Sequence, residues 1–421
     1  MRITVEPIQS LIDEPVRIKV LGLQAGQFVM IQARRISQNK SNHFASQGEY
    51  IVDENGEVDL ASQPSIGGTY QGIDPMGLFW SLQIEKVVQQ DNSESGRQGA
   101  NSPQEMTLEV RNADNEILCS KDFKRLWLSE DIVRTPIREN GLVATLFSPK
   151  DGIPRPGVIF LSGSEGGLNE YMSAMLASHG FTTLALAYFG MEDLPERLAH
   201  IPLEYVEKAI TWMESREDVK AGWLGIHGTS KGVEAALLSG SLFQQIKAVV
   251  ALNGFAISFA GIVPWSDAET LPPSWTYNGK PIPYATPNNP KEVALECLRM
   301  FKANEGNPYV EWYRHLGSDP DIVEKATIPV EKIKGPVMFI TGQEDGVVPN
   351  FSKTGMDRLK KYDHPYEYHH YNYQGGTHSI GIPYLFVGNA GRHTKGTALA
   401  SQDSWLKTKE FFMRSFLNAT S

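Results

Sequence analysis

Cleavage of an ester, thioester or amide needs a nucleophile, a base to take its proton, and donors for the oxyanion that follows. Gly228-Thr229-Ser230-Lys231-Gly232 offers a nucleophile in a recognisable setting. The mostly apolar run Gly222-Trp223-Leu224-Gly225-Ile226-His227 before it reads as a buried strand, and Val233-Glu234-Ala235-Ala236-Leu237-Leu238-Ser239 after it reads as a helix start. Strand, Gly-x-Ser-x-Gly and helix in that order hold a serine on a sharp turn with its hydroxyl above the sheet. Only glycine fits beside the serine in so tight a turn. The Lys231 amide then lies at the positive end of the helix, where an oxyanion is favoured. A Gly/Ser-rich turn without chemistry could carry the same five residues; the flanking strand and helix favour Ser230 as nucleophile.

The same topology predicts the order serine, acid, histidine along the chain. The acid belongs after a late strand, and Ile340-Thr341-Gly342-Gln343-Glu344-Asp345 fits. Asp345, in a turn that continues Gly346-Val347-Val348-Pro349, is expected to orient the base, with Glu344 as the competing choice. The base belongs after the last strand. Tyr366 to Tyr371 is that strand, and Gly375-Gly376-Thr377-His378 is the glycine-rich loop beyond it, so His378 is the expected base. His369 and His370 fall within the strand and read as sheet surface or packing, and His227 reads as the end of the strand before Ser230. The second oxyanion donor belongs to the loop after an earlier apolar strand, with Ser164 the first candidate and Glu165 the next. Substrate-binding residues are not legible. Neither Cys119 nor Cys297 sits in a metal-ligand spacing, and the chemistry calls for no metal and no cofactor.

The elements that must position these residues begin after about residue 131. Val143 to Phe147 reads as a strand, and Gly157 to Leu161 as a continuous apolar strand ending in Ser162-Gly163-Ser164-Glu165-Gly166-Gly167. Tyr171 to Ser178 reads as a helix ended by Gly180, and Thr182 to Tyr188 as a strand. Leu203 to Glu214 is an amphipathic helix with Leu203, Val206, Ile210 and Met213 on one side. Lys247 to Leu252 and Pro336 to Ile340 are further strands. The alternation predicts a doubly wound, mostly parallel sheet with helices on both faces. Ile262 to Pro290 is an irregular insert rich in proline and aromatic residues that could overhang the site or pack on itself. Gln402 to Leu417 reads as a closing helix that docks through Trp405, Phe411, Phe412 and Phe416.

Residues 1 to about 130 read as mostly β. Arg2 to Val5, Val16 to Val20, Phe28 to Ala33 and Met106 to Val110 alternate polar and apolar positions, punctuated by Gly, Asn and Asp. Many short strands suggest a β-sandwich, with Asp91 to Pro103 as an exposed polar loop. The expected domains are therefore 1–130 and 131–421, the second carrying the insert at about 262–290.

The chain has 421 residues, 41% hydrophobic and 21% charged, as suits soluble globular domains. A net charge of −10 disfavours nucleic acid and anionic membranes as partners. Two cysteines make no disulfide framework, no run is long and apolar enough for a membrane span, and Met1 to Glu6 lacks the apolar core of a signal peptide. A cytoplasmic protein is expected, although a trimmed exported form would look the same. Oligomeric state is not legible.

The same residues carry a resemblance. Asp13-Glu14-Pro15-Val16-Arg17-Ile18, Gly67-Gly68-Thr69-Tyr70, and Tyr70 to Gly77 followed by Leu78-Phe79-Trp80 lie in the first part. Gly166 to Tyr171, Ala185 to Phe189 followed by Glu192-Asp193-Leu194-Pro195, the Ser230 motif, Gly342 to Asp345 and Gly376-Thr377-His378 lie in the second. Nearly end to end, the chain resembles the type I acyl-CoA thioesterases and bile acid-CoA:amino acid N-acyltransferases. The resemblance implies an immunoglobulin-like β-sandwich followed by an α/β-hydrolase domain, with Ser230, Asp345 and His378 as triad and a small-molecule acyl-CoA as substrate. The acyltransferase branch commonly has cysteine where this chain has Ser230, so the serine points to hydrolysis. Val233 replaces a further glycine often found after the motif, and Ser379-Ile380-Gly381 replaces an aromatic-acidic continuation after the histidine. Amino-acid conjugation, carboxylester or dienelactone-like hydrolysis, and a binding protein with a silent hydrolase domain stand as the alternatives.

Overall fold

The computed structural model describes residues 1–37, 41–87, 100, 102–388 and 390–417. Of the expected loop 91–103, residues 91–99 and 101 lie outside the described residues. The chain forms two compact units, Met1–Glu130 with Gly381–Trp405, and Asp131–Ile380 with Leu406–Ser421.

In the first unit, β1 (Arg2–Glu6), β3 (Arg17–Leu21) and β6 (Glu57–Asp59) form a three-stranded sheet in the order β1-β3-β6. A larger sheet runs β2 (Gln9–Leu11), β10 (Ile117–Leu126), β9 (Gln104–Arg111), β4 (Phe28–Ile36), β5 (Asn42–Ile51) and β7 (Gly67–Gly68), with β8 (Gln83–Val87) also paired to β5. Alternate residues point to one side, so Ile3, Val5, Ile18, Val20 and Val58 of the small sheet share a core with Val29, Ile31, Leu108, Val110 and Phe123 of the large one. The single-turn helix α1 (Gly77–Trp80) adds Leu78, Phe79 and Trp80 to it. Arg125 of β10 is wholly buried, donates to the carbonyls of Leu11, Ile12 and Glu14, and lies over the Phe79 ring.

A single cut after residue 130 does not describe this core. Tyr384, Val387, Ala390 and Ala398 are buried in it, and Trp405 Nε1 donates to Asp13 Oδ2 at 2.6 Å across 392 residues of sequence. Trp405 therefore docks within the first unit, whereas Phe411, Phe412 and Phe416 are buried in the second.

The second unit is built on eight strands: β11 (Ile132–Ile137), β12 (Val143–Pro149), β13 (Arg155–Leu161), β14 (Thr182–Ala187), β16 (Val219–Thr229), β17 (Ile246–Leu252), β20 (Val337–Gly342) and β21 (Tyr368–Tyr373). Their spatial order is β11-β12-β14-β13-β16-β17-β20-β21. β12 pairs antiparallel to β11 and β14, and every pairing from β14 to β21 is parallel. All six residues of β14 are buried, as a strand covered on both faces requires. Helix α2 (Glu170–Ala177) follows β13, α3 (Leu203–Glu214) precedes β16, α4 (Gly232–Leu242) follows it, and α8 (Val348–Lys361) follows β20. Neighbouring residues of β16 point to opposite faces. Ile226 joins the core that α3 and α4 supply, while a methyl group on Gly225 would meet Phe412 of α9 (Thr394–Leu417). This strand order, with helices on both faces, is the α/β-hydrolase arrangement.

The excursion between β17 and β20 is longer than the insert expected at 262–290. After β18 (Trp275–Tyr277), which pairs with β15 (Ile201–Pro202), and β19 (Lys280–Pro281), which pairs with β18, it continues through α5 (Pro290–Ala303), α6 (Pro308–Leu316) and α7 (Pro320–Ala326). Each of these helices has proline in its first turn, and Asn307 and Asp319 cap α6 and α7 through their side chains.

Candidate active site

β16 ends at Thr229, and Ser230 takes a φ of 53°, a left-handed value that side chains rarely adopt. The strain is held from both sides. Ser230 N donates to Leu252 O at 2.8 Å, and Val233 N donates to Ser230 O at 3.0 Å. A methyl group on Gly228 would lie 2.4 Å from Gly232 O, and one on Gly232 would lie 2.2 Å from Ser162 O. The two motif glycines are thus needed because the elbow, the first turn of α4 and the loop after β13 touch through bare backbone.

His378 comes to Ser230 from the loop after β21. Its Nε2 is 3.0 Å from Ser230 Oγ, and its Nδ1 is 2.7 Å from Asp345 Oδ2. An ionised carboxylate only accepts, so Nδ1 carries the proton and Nε2 is left to accept from the serine hydroxyl. The Asp345 side chain is 8% exposed. The neighbouring Glu344 instead ties the two loops together by its backbone, Glu344 N donating to Gly376 O at 2.9 Å. Burial lowers the His378 pKa, but the hydrogen bond and charge of Asp345, with a further contribution from Glu165, outweigh it and leave the imidazole above its ordinary value.

Asn253 does work that the sequence did not announce. It follows β17, is buried, and its Nδ2 donates to His378 O at 3.1 Å and Ile380 O at 2.7 Å. The amide thereby fixes the loop that carries the histidine. The side chains of Lys231 and Glu234 were equally silent. The Lys231 side chain is buried and meets Glu234 Oε1 at 2.6 Å and Phe259 O at 3.1 Å. Glu234 Oε2 accepts from Phe259 N and Trp275 Nε1. The residue after the serine is so anchored to the root of the excursion. A spacing of three within a helix start is a weak signal, because most such pairs lie on solvated faces.

On the other side of Ser230, Gly163 is in contact: a methyl group there would come within 2.9 Å of Ser230 Cβ. Ser164 and Glu165 follow it in a turn closed by Gly166 N to Gly163 O at 3.2 Å, and both are exposed. Tyr188 holds the loop's other end through Ser162 O at 2.6 Å.

Comparison with known proteins then decides the family. Residues 13–139 match the acyl-CoA thioester hydrolase/BAAT N-terminal region, and residues 201–418 match the BAAT/acyl-CoA thioester hydrolase C-terminal region. The chain belongs to the acyl-CoA thioester hydrolase/BAAT family. Similar members include the mouse bile acid-CoA:amino acid N-acyltransferase, 34% identical over 82% of this chain and 78% of its own. The human acyl-coenzyme A thioesterase 1 is 33% identical over 79% of this chain and 74% of its own. The mouse acyl-coenzyme A amino acid N-acyltransferase 1 is 30% identical and spans 100% of this chain and 99% of its own. The family membership thus covers proteins named for hydrolysis and proteins named for transfer.

Other polar groups of this family member are engaged elsewhere. His227 is fully buried, stacks on Phe160 at 4.9 Å, and is driven down to a pKa of about 3 by burial, so it is neutral packing. His370 Nε2 pairs with Thr341 Oγ1 at 2.8 Å, and His369 with Glu367. Arg197 pairs with Asp267 and Arg314 with Glu311. A cavity of about 1090 Å³ is lined by first-unit residues, among them Arg34, His43, Glu85 and Lys124. Within it Arg34 pairs with Glu85 and Lys124 with Glu105. Among the described residues no cluster of His, Cys, Asp and Glu could hold a metal, and no helix is long and apolar enough to cross a membrane.

Proposed function

We propose that this protein hydrolyses acyl-CoA thioesters to free acid and CoA through an acyl-serine on Ser230. The observation that carries the reading is the Ser230–His378–Asp345 relay at hydrogen-bond lengths, in a member of a family of acyl-CoA enzymes. His378 Nε2 takes the Ser230 proton as Oγ attacks the thioester carbon, while Asp345 stabilises the imidazolium. The Lys231 and Ser164 amides are assigned to the oxyanion. Collapse breaks the carbon–sulfur bond, and His378 returns the proton to the departing CoA thiolate. Water, deprotonated by His378, then attacks the acyl-serine, and Ser230 leaves with that proton. The serine nucleophile supports hydrolysis, and an amine acceptor would in addition need its own pocket and have to arrive unprotonated.

We assign 1–130 to an immunoglobulin-like sandwich, a reading supported by two sheets sharing one apolar core, and 131–421, apart from the 381–405 segment, to the catalytic domain. The cytoplasm is the assigned compartment, supported by the unpaired Cys119 and Cys297. The test compares kcat/KM for a panel of acyl-CoA thioesters with that for 4-nitrophenyl esters. Higher values for acyl-CoA support the reading; turnover of simple esters with none of acyl-CoA overturns it.

A further inference from the structure

The relay leaves Glu165 without a role. Its Oε1 accepts the Gly163 amide at 3.1 Å, and a methyl group on Gly163 would stand 2.7 Å from Glu165 Oε2 and 2.9 Å from Ser230 Cβ. The carboxylate and the nucleophile therefore flank the same glycine. The same carboxylate acts on two further groups: after Asp345 it helps to raise the His378 pKa, and it adds to the burial that raises the Tyr188 phenol. Glu165 is itself exposed, so its charge stands on the open side of the loop rather than in the packed interior.

We infer that Glu165 is a specificity-determining residue that excludes negative charge from the positions next to the reacting carbonyl. The substrates it acts on are those of the thioesterase reading, on which the inference rests. A fixed carboxylate opposes the developing oxyanion of every substrate alike, so that effect does not discriminate. A second charge on the acyl group, one or two carbons from the thioester, meets an additional repulsion that an uncharged group of the same shape does not. An amino-acid acceptor brings a carboxylate to the same neighbourhood and is disfavoured for the same reason.

The probe pair is malonyl-CoA and 3-methylbutanoyl-CoA, which match in shape and differ in charge. Glu165→Gln keeps an acceptor for the Gly163 amide and removes only the charge, and Glu165→Asp restores the charge. Wild type is expected to favour 3-methylbutanoyl-CoA. In Glu165→Gln the malonyl to 3-methylbutanoyl ratio of kcat/KM should rise about ten-fold or more, and Glu165→Asp should stay near wild type. Raising salt should narrow the wild-type discrimination more than that of the Gln variant. An unchanged ratio in Glu165→Gln, or a parallel loss of both substrates with the ratio intact, overturns the inference. If wild type turns over neither thioester, the 4-nitrophenyl esters of the same two acids read the charge ratio, while the thioesterase reading stands or falls on the wider acyl-CoA panel.

Discussion

At the scale of single residues, the relay makes three sharp claims. Ser230→Ala removes the hydroxyl but no packing partner, so the variant should fold normally and lose hydrolysis by roughly 10³-fold or more. Normal turnover by that variant would end the serine mechanism. Asp345 reaches His378 and Glu344 contributes its backbone, so Asp345→Asn should collapse kcat while Glu344→Gln leaves most of it. The reverse pattern would move the acid by one residue. The third claim concerns pH. His378 must be neutral to take a proton, and its pKa is lifted above the ordinary 6.5. Hydrolysis should therefore fall as pH drops through a value above 6.5. Burial, which lowers the pKa, persists when the aspartate charge is removed, so the residual activity of Asp345→Asn should show its acid limb at lower pH. A pH–rate profile of kcat/KM for both proteins checks the direction.

At the scale of elements, the site depends on loops locked by backbone contacts. Gly232 has no room for a methyl group against Ser162 O, so Gly232→Ala must shift α4 or the loop after β13. The expected cost is about 1–3 kcal/mol or more in chemical denaturation, with a loss of activity, because the shift falls between nucleophile and oxyanion donors. Asn253 is a gentler probe, since its side-chain amide donates to two carbonyls of the histidine loop. Asn253→Ala should lower kcat by roughly 10²-fold if His378 drifts by about 1 Å. Wild-type kcat at reduced stability would assign Asn253 to structure alone. The starts of the excursion's helices are written in their caps. Asn289-Pro290, Asn307-Pro308 and Asp319-Pro320 each place a polar residue before a proline at a helix start, a readable signal hidden among the prolines of the insert.

At the scale of the whole molecule, the 381–405 segment returns to the first unit's core. Trp405 is buried there and hydrogen-bonded to Asp13. Trp405→Ala should cost about 3–5 kcal/mol, and limited proteolysis should then reveal new cleavage within residues 1–130. Cleavage confined to the second unit would argue against that grouping. The balance of hydrolysis and aminolysis also belongs to this scale. Incubation with acyl-CoA and millimolar glycine or taurine should yield mostly free acid, and a predominance of N-acyl amino acid would overturn the hydrolytic reading. Ser230→Cys separates the causes: a shift toward amide means that the nucleophile decides, and no shift means that acceptor binding does.

The sequence by itself determined what is written in short stretches. Alternating residues marked β1, β3, β4 and β9 among the first 130 positions but not the longer β5 and β10, continuous apolar runs marked the parallel sheet, and strand–Gly-x-Ser-x-Gly–helix marked Ser230, since each is a local pattern with a local cause. Chain order after late strands pointed to His378 and left Asp345 and Glu344 competing for the acid; in the structure the Asp345 carboxylate lies 2.7 Å from His378 Nδ1, and His378 Nε2 lies 3.0 Å from Ser230 Oγ. Only the tertiary structure decided the rest. Asn253 binds backbone carbonyls more than 120 residues away, Lys231 finds its second acceptor at Phe259, and Gly163 touches Ser230 across adjacent strands. The 381–405 segment joins a core whose other members lie before residue 130. These contacts pair residues distant in sequence, and a carbonyl or an amide makes the same hydrogen bond whatever side chain it carries. No composition or period announces them, so the chain must fold before they exist.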